Sequence, residues 1–183
     1  MTISELISDL IQRYMRIGTQ WHLFSYMLTM IYAFVLVKYS RHKKLSIGKC
    51  ILLVILFLYL TTIYMSTVMS RRYNPVVKIS LQPFVSWKRA LSGDRYGIKM
   101  VIENLILLTP VGFIFPFIIR RKNGYIRAIS FGFLFSLFIE ISQYLRKTGL
   151  FEVDDLINNT LGVLLGCGLA ALVLKVYRFF TRN

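Results

Sequence analysis

The chain predicts an all-α integral membrane bundle of about five transmembrane helices, preceded by an amphipathic helix lying in the membrane interface. Three observations lead there. Hydrophobic residues make up 56% of 183 positions, and the mean hydropathy is +0.58, which belongs to membrane chains. Apolar runs of spanning length recur, separated by basic or turn-forming segments. The first residues carry a helical periodicity of a different kind. Residues 1–20 are therefore expected to form the interfacial helix and residues 21–183 a single five-helix membrane domain.

Charge and cysteine usage exclude several other classes. The net charge of +15, from 23 Lys and Arg against 8 Asp and Glu, would suggest nucleic acid on a soluble chain. Beside apolar spans, however, excess cation is what orientation and anionic lipid require, and no basic stripe interleaves with a recognition motif. No nucleic-acid partner is expected. Cys50 and Cys167 both belong to apolar runs and form neither a disulfide framework nor a metal-ligand spacing. His22 and His42 are isolated, which makes them interface and loop residues rather than bases. No cofactor and no metal are expected.

Ile3, Leu6, Ile7, Leu10, Ile11 and Tyr14 recur at helical spacing, opposite Ser4, Glu5, Ser8, Asp9, Gln12, Arg13 and Arg16. The acids and the strict period suit an interfacial helix, not a spanning one. The first span follows from Trp21 to Val37, with Trp21 and Tyr39 as interfacial anchors. Residues 38–49 supply Lys38, Arg41, Lys43, Lys44 and Lys49 without an acid. The second span runs from Cys50 to Met69, and the hydroxyls of Thr61, Thr62, Tyr64, Ser66 and Thr67 in its far half are expected to bond carbonyls of their own helix.

Ser70 to Lys99 is the longest break, holding seven Lys and Arg against Asp94 alone. Alternation over Val77 to Gln82 predicts an extended piece that Pro83 stops, and Trp87 to Leu91 a helical turn. The third span extends from Val101 to Ile119 and contains Pro110, Gly112 and Pro116, which predict a kink. After Arg120, Arg121, Lys122 and the Asn123-Gly124 turn, the fourth span covers Ile126 to Tyr144. The fifth starts at Asp154 or Asp155 and reaches Tyr177. Gly162 and Gly166 form a GxxxG step on it, suited to close packing within the subunit or, alternatively, to an oligomer contact.

With five spans the short acid-free loops 38–49 and 120–125 share a side with the C-terminus, so the N-terminus is expected outside the cell membrane and the C-terminus in the cytoplasm. The same alternation places Glu103 and Asn104, Glu140 and Gln143, and Asp155 and Asn159 toward one membrane face. Gln143 follows Glu140 by three residues and Asn159 follows Asp155 by four, so each pair shares a helix face. Glu140 and Asn159 fall about one turn, roughly 5 to 6 Å, inside their helix ends. These six are the candidate binding residues, expected to line a shallow outward-facing pocket roofed by residues 70–99. Plainer roles compete with this reading. Asp154 or Asp155 suits the N-cap of the fifth span, and Asn104, Gln143 and Asn159 suit hydrogen bonding between helices.

Three blocks in this region resemble the VanZ-like family of membrane proteins associated with teicoplanin resistance: Asn104 to Phe113 with Pro110 and Gly112, Ser136 to Gln143 with Glu140, and Asp154 to Gly162 with Asp155, Asn159 and Thr160. Leu81-Gln82-Pro83-Phe84 is similar to the family's shorter Pro-Phe motif. The likeness covers about residues 79–168. Glu152 stands where members carry an acid before the second Asp, and Thr148-Gly149-Leu150 lacks an Arg that many of them have there. The resemblance implies lowered susceptibility to teicoplanin-type lipoglycopeptides and carries no catalytic assignment.

Membrane lipids, and beyond them a lipid-linked cell-wall precursor or the lipoglycopeptide itself, are the partners this implies. A non-enzymatic pocket that binds such a group is the favoured reading. The alternative is a membrane-embedded enzyme on a lipid-linked or cell-surface substrate, with Glu140 and Asp155 as acid and base or as cation ligands. A transporter fits less well, because no polar group crosses the midplane of the spans.

Overall fold

The computed structural model describes residues 5, 8, 18–43, 45–74, 78–119 and 123–181. The expected interfacial helix over residues 3–17 therefore lies outside the described residues, apart from Glu5 and Ser8. In chain order the elements are α1 (Thr19–Lys43), α2 (Ile47–Tyr64) continued by a π-helical turn (Met65–Met69), β1 (Ile79–Ser80), α3 (Val85–Leu91), α4 (Arg95–Ile118), α5 (Gly124–Leu145), β2 (Phe151–Glu152) and α6 (Val153–Thr181). Among the described residues, five helices are long and apolar enough to cross a membrane. The fold is all-α, as the hydropathy pattern predicts. Large apolar side chains point outward along them, among them Met30, Phe34 and Leu172, as a lipid solvent allows.

The chain forms two compact units. Residues 1–79 and 139–151 make the first, residues 80–138 and 152–183 the second. The boundary passes within α5, between Phe138 and Ile139.

In the first unit α1 and α2 run antiparallel. Ser25 Oγ, almost fully buried, lies 2.7 Å from Thr61 Oγ1 and 3.2 Å from Thr62 Oγ1, and Tyr32 stacks on Phe57 at 4.3 Å between ring centroids. Thr61 also donates to the Phe57 carbonyl at 3.0 Å, and Thr67 to the Ile63 carbonyl at 2.8 Å. The hydroxyls of Thr61, Ser66 and Thr67 thus serve their own helix, whereas Thr62 meets Ser25 across the hairpin, a cross-link that hydropathy alone does not disclose. Farther on, Thr148 N–H donates to the Gln143 carbonyl, while Lys147 takes a left-handed φ of 54° and its carbonyl accepts from Asn74 N–H at 2.6 Å.

In the second unit α4 and α6 touch backbone to backbone. A Cβ built on Gly112 would stand 2.0 Å from the Val163 carbonyl oxygen, one on Gly162 2.2 Å from that of Leu105, and one on Gly166 2.0 Å from that of Thr109. Thr109 Oγ1 donates to the Leu105 carbonyl of its own helix at 2.6 Å and lies 3.1 Å from the Gly162 carbonyl oxygen across the seam. The GxxxG step is therefore spent inside the subunit, as small residues in lipid permit. Leu108, Val111 and Val163 are wholly buried along this contact. Helix α4 continues through both Pro110 and Pro116.

It also starts earlier than hydropathy indicates, at Arg95 instead of near Val101. Asp94 caps it, its carboxylate accepting from Tyr96 N–H at 3.0 Å. The first turn holds Arg95 and Lys99, so it is helical without being apolar. The expected strand shrinks to Ile79–Ser80, paired with Phe151–Glu152; Val77 lies outside the described residues. The expected helical turn is α3, beginning two residues before Trp87.

Candidate functional site

Helix α6 opens with four polar residues in six positions, Asp154, Asp155, Asn158 and Asn159. A step of four residues nearly closes a helical turn, so Asp154 pairs with Asn158 on one face and Asp155 with Asn159 on the next, about 100° round. Each face meets a different part of the second unit.

The Asp154 face holds α3. Asp154 Oδ2 accepts from the backbone N–H of Ser86 at 2.7 Å, which gives α3 the cap its own residues lack, since Phe84 before it has a φ of 62° and no capping side chain. Such a cap contributes about 0.5–2 kcal/mol. Asn158 works beside it. Its Oδ1 accepts from Trp87 Nε1 at 2.6 Å and its Nδ2 donates to Ser86 Oγ at 3.0 Å. Both Ser86 and Asn158 are buried. Gly97 lets α3 lie against the start of α4, where a Cβ would meet Arg89 Cβ at 2.4 Å.

The Asp155 face holds α4 and α5. Asn104 Nδ2 donates to Asp155 Oδ1 at 2.5 Å, a hydrogen bond between membrane helices, worth about 0.6 kcal/mol on average and about 1.7 at most. Asn159 Nδ2 donates to Ser136 Oγ at 2.9 Å, and Ser136 is fully buried. Glu103 is buried next to Asn104 on α4. The two carboxylates in the first turn of α6 also sit at the positive end of its dipole.

On α6, two acceptors of this network have no hydrogen-bond partner among the described residues, Asp154 Oδ1 and Asn159 Oδ1, on side chains only 5% and 3% exposed. An unmet buried acceptor costs about 1–3 kcal/mol, more when charged. Helix α6 thus satisfies α3, α4 and α5 while two of its own oxygens stay open to a donor.

Glu140 and Gln143 belong to the first unit, and both are buried. Gln143 Nε2 donates to the Thr67 carbonyl at 3.0 Å, inside the π-helical turn at the end of α2. A π turn displaces carbonyls from the regular ladder, which makes them accessible to such a donor.

Among the six residues picked from sequence, the second unit joins Asn104 to Asp155 directly and places Asn159 one turn farther along α6. The N-cap role considered for Asp154 and Asp155 needs correction. Helix α6 begins at Val153, so both lie inside its first turn, and their carboxylates serve α3 and α4. Ser86, Trp87, Ser136, Asp154 and Asn158 complete the network and are not among the six. Only the doubled pattern Asp-Asp…Asn-Asn hinted at them, by giving α6 two polar faces. Among the described residues no group of three or more His, Cys, Asp or Glu is arranged to hold a metal ion.

Residues 48–174, more than half of the chain, match the VanZ/LLP1 family model. The chain belongs to the VanZ/LLP1 family. That match takes in α2 from its second residue and every residue of the polar network, so the VanZ-like region begins well before the motif blocks at residue 79. Neither the curated proteins nor the solved structures contain a match. The chain is thus a VanZ-like multi-pass membrane protein, of a family associated with antibiotic resistance.

Proposed function

We propose that this protein lowers susceptibility to teicoplanin-type lipoglycopeptides by binding a donor-rich polar group at the N-terminal turns of α6. The group is a sugar hydroxyl or ammonium, carried by an envelope lipid such as the lipid-linked cell-wall precursor or by the antibiotic itself. The supporting observation is two open buried acceptors in those turns, Asp154 Oδ1 on the face toward α3 and Asn159 Oδ1 on the face toward α4 and α5. Oxygens of this kind accept from hydroxyl or ammonium donors and offer nothing to a phosphate. Glu103 and Asp155 add carboxylate character, and Asn104 orients Asp155. Glu140 and Gln143 are a second binding set, in the other unit.

The test is direct binding of teicoplanin, and separately of lipid-linked precursor, to the purified protein. Wild type should bind one of the two. Asn159→Leu, which removes an acceptor from the site, should weaken that binding about tenfold, the equivalent of about 1.4 kcal/mol. Binding of neither ligand by wild type sinks the proposal. In cells, deletion, wild-type and Asp155→Asn strains should differ against teicoplanin more than against cationic peptides, and equal shifts for all agents would point to general envelope change instead.

A further inference from the structure

The hairpin of α1 and α2 is closed at one end and open at the other. Ser25 with Thr61 and Thr62, then Tyr32 with Phe57, hold the helices together over the half farther from their connection. Toward the connection a cleft of about 490 Å³ opens, walled by Ala33, Leu36 and Val37 on one side and Cys50, Ile51 and Val54 on the other. That volume falls within the about 300–1,000 Å³ of small-molecule sites. Its lining is apolar except for Ser40 and Arg41, toward the connection between the helices. The Ser40 hydroxyl donates to the Val37 carbonyl of its own helix at 2.8 Å. Arg41 is left as the charged group on the wall among the described residues, and it is exposed.

The surrounding sequence gives the sign of the occupant. Residues 38–49 contain five Lys and Arg and no Asp or Glu. Juxtamembrane cations attract anionic head groups, while an apolar cleft beside them accepts a hydrocarbon chain. We propose that this cleft seats one acyl chain of an anionic phospholipid, whose head group is held by Arg41. Lipid drawn from the surrounding membrane is the occupant, in place of a second copy of the chain, because a segment that repels its own like-charged copy welcomes an anion. The site is independent of the polar network on α6, and either reading can fail alone.

Native mass spectrometry of the full-length protein, released from detergent after incubation with equimolar phosphatidylglycerol and phosphatidylcholine of matched chains, tests this. Wild type should keep one lipid, with phosphatidylglycerol favoured about fivefold, the equivalent of about 1 kcal/mol for one cation near an anionic group. Arg41→Gln should bring that ratio close to one, and Arg41→Lys should preserve it. Val54→Trp fills the cleft without changing a charge and should remove the adduct, whereas Val54→Ala should keep it and controls for folding. Equal retention of both lipids by wild type, a preference surviving Arg41→Gln, an adduct surviving Val54→Trp, or a dimer in place of the adduct would each overturn the proposal.

Discussion

Adding one methyl group at Gly166 and one at Gly168 should have opposite consequences, although the two glycines are neighbours on α6. At Gly166 the new Cβ would lie 2.0 Å from the Thr109 carbonyl oxygen, 2.7 Å from Phe113 N and 3.0 Å from the Gly112 carbonyl carbon. All three are backbone atoms, so no side chain can rotate away. To restore ordinary contact at about 3.5 Å, helix α4 must retreat by more than 1 Å along a seam that also contains Gly112 and Gly162. Overpacking of this kind costs about 1–3 kcal/mol in a core that can adjust. Here the obstacle is main chain, so Gly166→Ala should fall at or above the upper end of that range. At Gly168 nothing lies within 4 Å. Gly168→Ala meets no obstacle and removes the glycine penalty, worth up to about 1 kcal/mol in a helix interior. The assay is unfolding in SDS titrated into detergent micelles, followed by circular dichroism. Equal stability of the two variants would refute the backbone seam.

Other outcomes follow from the polar network. In a Trp21→Phe background, Asn158→Ala should shift Trp87 emission to the red and cost about 2 kcal/mol or more, because it strands the indole N–H and the Ser86 hydroxyl; unchanged emission would contradict the Trp87 contact. A double-mutant cycle on Asn104→Ala and Asp155→Ala should give a coupling of about 0.6–1.7 kcal/mol, the range for hydrogen bonds between membrane helices. A coupling of zero would remove that bond from the account. Asp154→Ala should raise amide exchange at Ser86 and Trp87 more than at Leu108, since it uncaps α3 alone; uniform exchange across α4 would show a global role instead.

Spans were legible in the sequence because lipid demands long apolar runs, and runs are visible without knowing any partner. Their ends were less legible. Arg95 and Lys99 lower the local hydropathy, yet Asp94 caps the helix that contains them, so α4 begins where capping dictates. The glycine step on α6 showed that something packs closely there, while its partner, the Leu105–Phe113 stretch of α4, follows only from the fold. The polar residues of α6 were conspicuous for a similar reason, being costly in an apolar chain. What they bond could not be read, because Ser86, Trp87 and Ser136 are unremarkable residue types until the fold brings them to Asn158 and Asn159. Asp154 suits the cap of its own helix, because a carboxylate at a helix start so often has that role, and in the fold it caps α3 instead.

The position of α6 along the chain bears on biogenesis. Ser86, Asn104, Thr109 and Ser136 all precede α6 in sequence, and each finds a partner on it. Until residues 154–162 emerge from the ribosome and insert, Thr109 has the Leu105 carbonyl of its own helix, but Ser86, Asn104 and Ser136 lack these partners and turn to water, lipid head groups or the insertion machinery. Arrival of α6 therefore acts as a completeness check, and a chain arrested before residue 154 would present the polar groups that membrane quality control recognises.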